Sequence, residues 1–219
     1  APLLELASHD PRQGIVFQTI AQTPVVPLQA ARPERCLSCH LSANSLDIPG
    51  ILVRSNFTDP NGRSLPQLGN FLVDHRTPLA QRWGGWYVTG THGAQRHMGN
   101  SMVASLSDPE SAITDATLNR TTLSDRVDAA AYPRATSDIA ALLVFDHQGR
   151  AMNLITRLGW EARAGGDVRP LAQELAAYLA LTDEITFTWP IKGVSEFASE
   201  FAGTGPRDSK GRSLRELDL

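Results

Sequence analysis

The chain contains little cysteine, little lysine and no long apolar run, and each shortage excludes something. Two cysteines in 219 residues cannot form the disulfide framework on which small secreted domains depend. Lysine occurs only as Lys192 and Lys210, and the formal charge is −3, so a broad basic surface for nucleic acid or an anionic membrane is not expected. Because no apolar run reaches about 18 residues, the sequence predicts no transmembrane helix.

The remaining composition is that of a globular protein. Apolar residues make up 42% and charged residues 20% of a chain long enough for one sizeable domain or two small ones. Seventeen Gly and 14 Pro predict many turns. Since the core needs no covalent help at this length, the two cysteines call for another explanation.

Both cysteines lie in one pentapeptide, Cys36-Leu37-Ser38-Cys39-His40. C-x-x-C-H is the attachment pattern of c-type haem. Two thiols three positions apart can each add to one vinyl group of the same porphyrin, and the histidine that follows can then bind the iron. The sequence therefore predicts one covalent haem, held by Cys36, Cys39 and His40.

Three other interpretations of this pentapeptide stay open. A thioredoxin-like dithiol would open a helix directly after a buried strand, whereas the preceding ARPER is polar and contains Pro33. A zinc site would need further thiols or a matching histidine pair, and the chain has no third cysteine. A disulfide across two intervening residues would leave the histidine without a role.

The pentapeptide resembles that of single-haem c-type cytochromes. More loosely, the chain is similar to a group of largely uncharacterised bacterial mono-haem proteins, through CLSCH, IPGILVRS, RWGGWYVTG, THGAQRHMGN and SDIAALLVFDHQGRAMNLITR. Only the pentapeptide carries known chemistry. The resemblance implies thioether bonds at Cys36 and Cys39, axial ligation by His40, and residence in the periplasm or outside the cell after removal of an export signal.

The sixth iron ligand is predicted from the segment 91–100, which offers two imidazoles and a thioether. His97 is the first candidate and Met98 the second. Their neighbouring side chains diverge, so only one of them can reach the iron. His92 and an open sixth position are further alternatives. His147 is expected to be a core residue on the apolar face of a helix.

Donors for the haem propionates are expected around the aromatic run 83–87. Arginine and tryptophan N–H groups suit buried carboxylates, and the candidates are Arg82, Trp83, Trp86 and Arg96. A solvated arginine-rich loop beside a core tryptophan is the competing interpretation.

Strand and helix signals predict an α+β fold, with a small antiparallel sheet that carries the haem motif and a helical C-terminal half. An all-α fold of the cytochrome c kind is the alternative. Turn residues favour hairpins at 3–20 and 51–68, and Trp86–Thr89 favours a further strand. Helices are predicted from a Ser137 cap to about residue 163, over 167–181 and over 195–201.

These elements suggest three segments that form one domain. They are a haem-binding region at 1–105, a connection at 106–136 and a helical region at 137–219. A capping box at residues 213–216 announces a helix that only three residues could continue. We therefore expect the sequence to be part of a longer chain.

One-electron transfer to redox partner proteins, through a six-coordinate haem, is the leading functional hypothesis. A haem-based sensor or redox enzyme with a displaceable sixth ligand is the second, and a haem-free binding module is the third. Whether the protein is an enzyme stays open. The sequence specifies neither partners nor oligomeric state.

Overall fold

The structure is a computed structural model that describes residues 3–22, 29–213 and 215. The chain forms two compact units, each built from two stretches of sequence. Unit 1 comprises Ala1–Leu52 and Gln148–Thr182, and unit 2 comprises Val53–His147 and Asp183–Leu219. Each unit thus combines part of the predicted N-terminal region with part of the predicted helical region. The predicted boundaries at residues 105 and 136 stay predictions.

Unit 1 opens with the expected hairpin. Strand β1 (Leu3–Asp10) pairs antiparallel with β2 (Gly14–Ala21), which also pairs with the short β3 (Ala30–Ala31). The Asp10 carboxylate accepts hydrogen bonds from two backbone N–H groups of the turn, and Gly14 adopts a φ of +88° that favours glycine. The hairpin prediction is confirmed.

The other elements of unit 1 are helical. The short helix α1 (Leu37–His40) follows a 3₁₀ turn at Glu34–Cys36. Helix α2 (Ile139–Ala164) contributes its residues from Gln148 onward, and α3 is Arg169–Leu179. A core cluster joins α2 and α3 through Ala151, Leu154 and Tyr178.

Unit 2 contains a smaller two-stranded sheet, formed by β4 (Arg54–Asn56) and β5 (Asn70–Leu72). The predicted turn is present, since Asp59 N–H donates to Arg63 O and Gly62 N–H donates to Asp59 O. The predicted return strand is reduced to one antiparallel bridge between Thr58 and Ser64. Residues 66–68 form a 3₁₀ turn that starts at Pro66, and strand pairing resumes at Asn70.

The strand predicted at Trp86–Thr89 is also absent, apart from a single bridge at Thr89. The hydrogen-bonding groups of the Val88 backbone are instead satisfied by the Asn100 side chain. Asn100 Oδ1 accepts from Val88 N–H at 2.8 Å, and Nδ2 donates to Val88 O at 2.8 Å. A buried amide therefore takes the place of a neighbouring strand.

The cap of helix α2 (Ile139–Ala164) lies one residue later in the sequence than predicted. Asp138, not Ser137, accepts the N–H of Ala140, at 2.8 Å, because its carboxylate reaches into the first turn. Two apolar clusters fill unit 2, one around Trp83 and Ile139 and the other around Phe57 and Met98. Helix α4 (Phe197–Gly203) completes this unit.

The fold class is α+β, as predicted, with antiparallel strands and with helices mostly in the C-terminal half. The all-α alternative is wrong. Among the described residues, every helix is too short or too polar to span a bilayer. The capping box predicted at the end of the chain includes Leu214 and Glu216, which lie outside the described residues.

Candidate functional site

The C-x-x-C-H pentapeptide lies on one turn of helix in unit 1. Pro33 precedes the 3₁₀ turn that ends at Cys36, and α1 then carries Cys39 and His40. Both cysteines are free thiols, Cys36 half-buried and Cys39 exposed. A polar loop, not a buried strand, leads into the motif, which is unlike the setting of a thioredoxin dithiol.

The pentapeptide forms one wall of a cavity of about 500 Å³. The hairpin forms the opposite wall, with Ala7 of β1 directly across from Phe17 of β2. This volume lies within the range of about 300–1,000 Å³ that is usual for cofactor pockets. Nine residues line the cavity: Glu5, Leu6, Ala7, Phe17, Gln18, Arg35, Cys36, Cys39 and His40.

The imidazole of His40 is held by the backbone of Gly50. His40 Nδ1 lies 2.9 Å from Gly50 O, so Nδ1 carries the proton and donates it to the carbonyl. The opposite nitrogen, Nε2, makes no hydrogen bond to the described residues, and its lone pair is available to a metal. The Phe17 ring packs against the imidazole with ring centroids 4.4 Å apart.

Two opposite charges lie on the cavity wall. Arg35 and Glu5 approach to 3.9 Å, and both side chains are more than half exposed. Such a loose, solvated pair contributes little to stability. Arg35 is the one cationic residue among those that line the cavity, so its guanidinium can serve an anionic group there.

The candidate sixth ligands belong to unit 2, whereas the pentapeptide belongs to unit 1. His97 is buried, and its Nδ1 accepts the N–H of Gly99 at 3.0 Å. The neutral ring therefore carries its proton on Nε2, so iron ligation through Nε2 would require the proton to move. Burial, with a smaller effect of His92, lowers the pKa of His97 to about 3, and the ring is neutral at pH 7.

Met98 and His92 are buried beside His97. Met98 Sδ accepts from the Ser55 hydroxyl at 3.5 Å, and His92 Nε2 accepts from Asn119 N–H at 3.2 Å. The His92 and His97 rings contact edge to face, with centroids 4.7 Å apart. The assignment of the sixth ligand to His97 or Met98 stays a prediction.

Arg82 and Trp83, two of the expected propionate donors, bind one buried carboxylate. The Arg82 guanidinium and the Trp83 indole N–H donate to Asp146 Oδ2 at 3.3 and 3.0 Å, and all three residues are 1% exposed. Burial raises the pKa of Asp146 to about 7, although Arg82 and Trp83 oppose this rise. Arg82 also donates to the backbone oxygens of Thr77 and His75.

The other two expected donors also have protein acceptors. Trp86 Nε1 donates to Arg54 O at 2.8 Å, and Arg96 donates to Ile113 O at 2.7 Å. A role of these four residues in haem binding stays a prediction. His147 is buried, as expected, and its ring packs edge to face on that of His75, with centroids 5.1 Å apart.

Sequence reasoning found the thiols and the imidazole but missed the residues around them. Phe17 and Gly50 lie 23 and 10 positions away from His40, and no spacing rule connects them to it. Of the residues around the motif, Arg35 was the one that the sequence could have indicated, because it directly precedes Cys36. In the described part of the chain, no group of three or more His, Cys, Asp or Glu side chains is arranged to hold a metal ion.

Comparisons with family models, curated proteins and solved structures find no match to this chain. Any function for this chain must therefore be inferred from the cavity and the pentapeptide.

Proposed function

We propose that this protein binds one c-type haem covalently in the unit 1 cavity and uses it for one-electron transfer. The observation that carries the proposal is the common location of three groups: the Cys36 thiol, the Cys39 thiol and the His40 imidazole all line one cavity of about 500 Å³. The His40 tautomer, with the Nε2 lone pair available, is the one that an axial iron ligand needs.

Different residues of the cavity would bind different parts of the haem. Each thiol adds across one vinyl double bond, with sulfur bonding to one carbon and the thiol hydrogen going to the other, so no oxidant is consumed. Leu6, Ala7 and Phe17 give the cavity an apolar wall, and Arg35 supplies a cation for a carboxylate. The haem, when bound, supplies an iron that cycles between two oxidation states.

The exposure of the site supports electron transfer as the role of the haem. Cys39 is solvent-exposed, and an edge of the group bound there would be within reach of a partner protein. The chain has one attachment motif, so the electron must come from and leave to separate redox partners. Residence in the periplasm or outside the cell belongs to the same proposal.

The decisive test is covalent haem content. The protein is produced in a host with c-type maturation, and the pyridine haemochrome spectrum is recorded together with haem staining after denaturing electrophoresis. We expect one thioether-linked haem per chain, complete loss in the C36S/C39S double variant and no loss in H9Q, since exposed His9 does not line the cavity. A wild-type protein without thioether-linked haem contradicts the proposal.

One observation favours a second candidate, a haem-based sensor or redox enzyme with a displaceable sixth ligand. The residues that line the cavity include one histidine and no methionine, and His97 Nδ1 and Met98 Sδ accept hydrogen bonds within unit 2. Carbon monoxide distinguishes the two candidates. A reduced protein whose Soret band does not shift under carbon monoxide is a six-coordinate electron carrier, and a prompt shift supports the second candidate.

A further inference from the structure

His40 and Gly50 hold each other through two reciprocal hydrogen bonds. His40 Nδ1–H donates to Gly50 O at 2.9 Å, and Gly50 N–H donates to His40 O at 2.9 Å. The position of the Gly50 carbonyl therefore determines the direction of the imidazole. Whatever fixes this short segment of backbone also fixes the histidine.

A buried amide on helix α2 fixes that segment. Asn153 is 3% exposed, and it clamps the next residue, Ile51, from both sides: Oδ1 accepts Ile51 N–H at 2.9 Å, and Nδ2 donates to Ile51 O at 2.8 Å. A buried amide with both ends satisfied by backbone holds its partner in one orientation.

The Asn153 amide also lies close to Gly50. A Cβ atom added at Gly50 would lie 2.6 Å from Asn153 Oδ1 and 3.0 Å from Nδ2, so only glycine fits against this amide. Asn153 and Gly50 are 103 positions apart in the sequence, and both belong to unit 1. The contact thus joins the axial histidine, through two backbone residues, to the long helix.

We infer that Asn153 is a positioning residue for His40: it fixes the carbonyl of Gly50, and this carbonyl fixes the tautomer and direction of the His40 imidazole. The inference rests on the proposed function, because only a metal on Nε2 makes these properties matter. A hydrogen bond from Nδ1–H to a carbonyl makes Nε2 a stronger donor. A stronger donor favours ferric over ferrous iron, so the clamp lowers the midpoint potential.

The test compares two buried polar residues of the same helix in the full-length holoprotein. N153L removes both hydrogen bonds and keeps the branched shape of the side chain. T156V is the matched control, because Thr156 is 2% exposed and its hydroxyl bonds to His9 Nε2 at 3.1 Å, not to His40, Gly50 or Ile51. Midpoint potential is measured by spectroelectrochemistry, and stability by urea unfolding.

We expect N153L to raise the midpoint potential. T156V should lower the stability but leave the midpoint potential equal to that of the wild type. N153A, which removes both hydrogen bonds without adding charge or bulk, should also raise the potential. It gives the same test if N153L does not fold.

Two results overturn the inference: a potential in N153L or N153A equal to that of the wild type, or an equal shift in T156V. Both results require haem to be attached, so neither contradicts the proposed function. Absence of thioether-linked haem from the wild type contradicts the proposed function instead, and the pyridine haemochrome spectrum of each sample separates the two failures.

Discussion

Asp146 has a pKa far above that of an ordinary carboxyl group. Burial raises its pKa to about 7 from 3.8, although Arg82 and Trp83 donate to Oδ2. The other oxygen, Oδ1, has no hydrogen-bond partner within the described part of the chain, so no donor there favours the ionised form. The folded protein therefore binds a proton that the unfolded chain releases at a lower pH.

This proton gives a pH dependence with a definite sign. Because the folded pKa of Asp146 is raised, its stabilisation is fully present below pH 3.8 and is lost as the pH rises through about 7. We expect the stability of the wild type relative to D146N to fall by up to about 4 kcal/mol between pH 4 and pH 8. Urea unfolding of both proteins across this range measures the difference. A difference that is constant with pH contradicts the assignment.

The motif residues show what single positions reveal in a sequence. Cys36, Cys39 and His40 could be selected as the proposed haem site because the spacing of an attachment motif is local. Asn153 could not be predicted, since a lone asparagine within a helical pattern has many uses and its partner Ile51 is 102 positions away. The sequence could not show that Arg82 and Trp83 share Asp146, because that contact joins residues more than 60 positions apart.

Among the elements, helix α2 depends on Asp138 at its start. The carboxylate of Asp138 caps the helix at Ala140 N–H, and Oδ2 accepts three more hydrogen bonds, from Val194 N–H, Ser195 N–H and the Ser195 hydroxyl. One side chain therefore ties the helix start to the segment before α4.

We expect D138A to lower the free energy of unfolding by about 3 kcal/mol, because it removes a helix cap and leaves buried N–H groups without an acceptor. D138N should lose less, since its amide oxygen can still cap the helix. S137A is the matched control, at the cap that the sequence predicted, and should change stability by less than about 0.5 kcal/mol. Urea unfolding followed by far-ultraviolet circular dichroism measures all three, and an equal loss in S137A and D138A contradicts the assignment.

The helices were predictable to within a few residues and the short strands were not. Apolar spacing of three and four places α2 and α3 correctly, since that pattern is repeated over several turns. A strand of three residues carries no comparable repetition. At Val88 the hydrogen bonds that a strand would need are made by Asn100, and no property of residues 86–89 announces this.

At the scale of the whole molecule, the two units carry different chemistry. Unit 1 contains both cysteines and the cavity, whereas unit 2 contains His75, His92, His97 and His147, all buried. Burial, helped by His147, lowers the pKa of His75 to about 4, and that of His97 is lowered to about 3. Both rings are therefore neutral in the folded protein at pH 7.

Neutral buried histidines make the protein acid-sensitive. The unfolded chain binds protons at these histidines below about pH 6.5, whereas the folded chain does not until about pH 4 and 3, so stability falls as the pH falls. Asp146 acts in the opposite direction, but two histidines outweigh one carboxyl group. We expect the urea midpoint, followed by tryptophan fluorescence, to decrease from pH 6.5 to pH 4. A constant or rising midpoint contradicts this expectation.

The sequence by itself determined the helices and the α+β class and motivated the proposed attachment chemistry, because each depends on residues that are close together in the chain. Tertiary structure decided what surrounds that chemistry: the hairpin that faces the pentapeptide, the Gly50 carbonyl that orients His40, and the amide of Asn153 behind it. These contacts join positions 10 to more than 100 residues apart. Their physical basis is the burial and mutual hydrogen bonding of groups that meet only once the chain has folded.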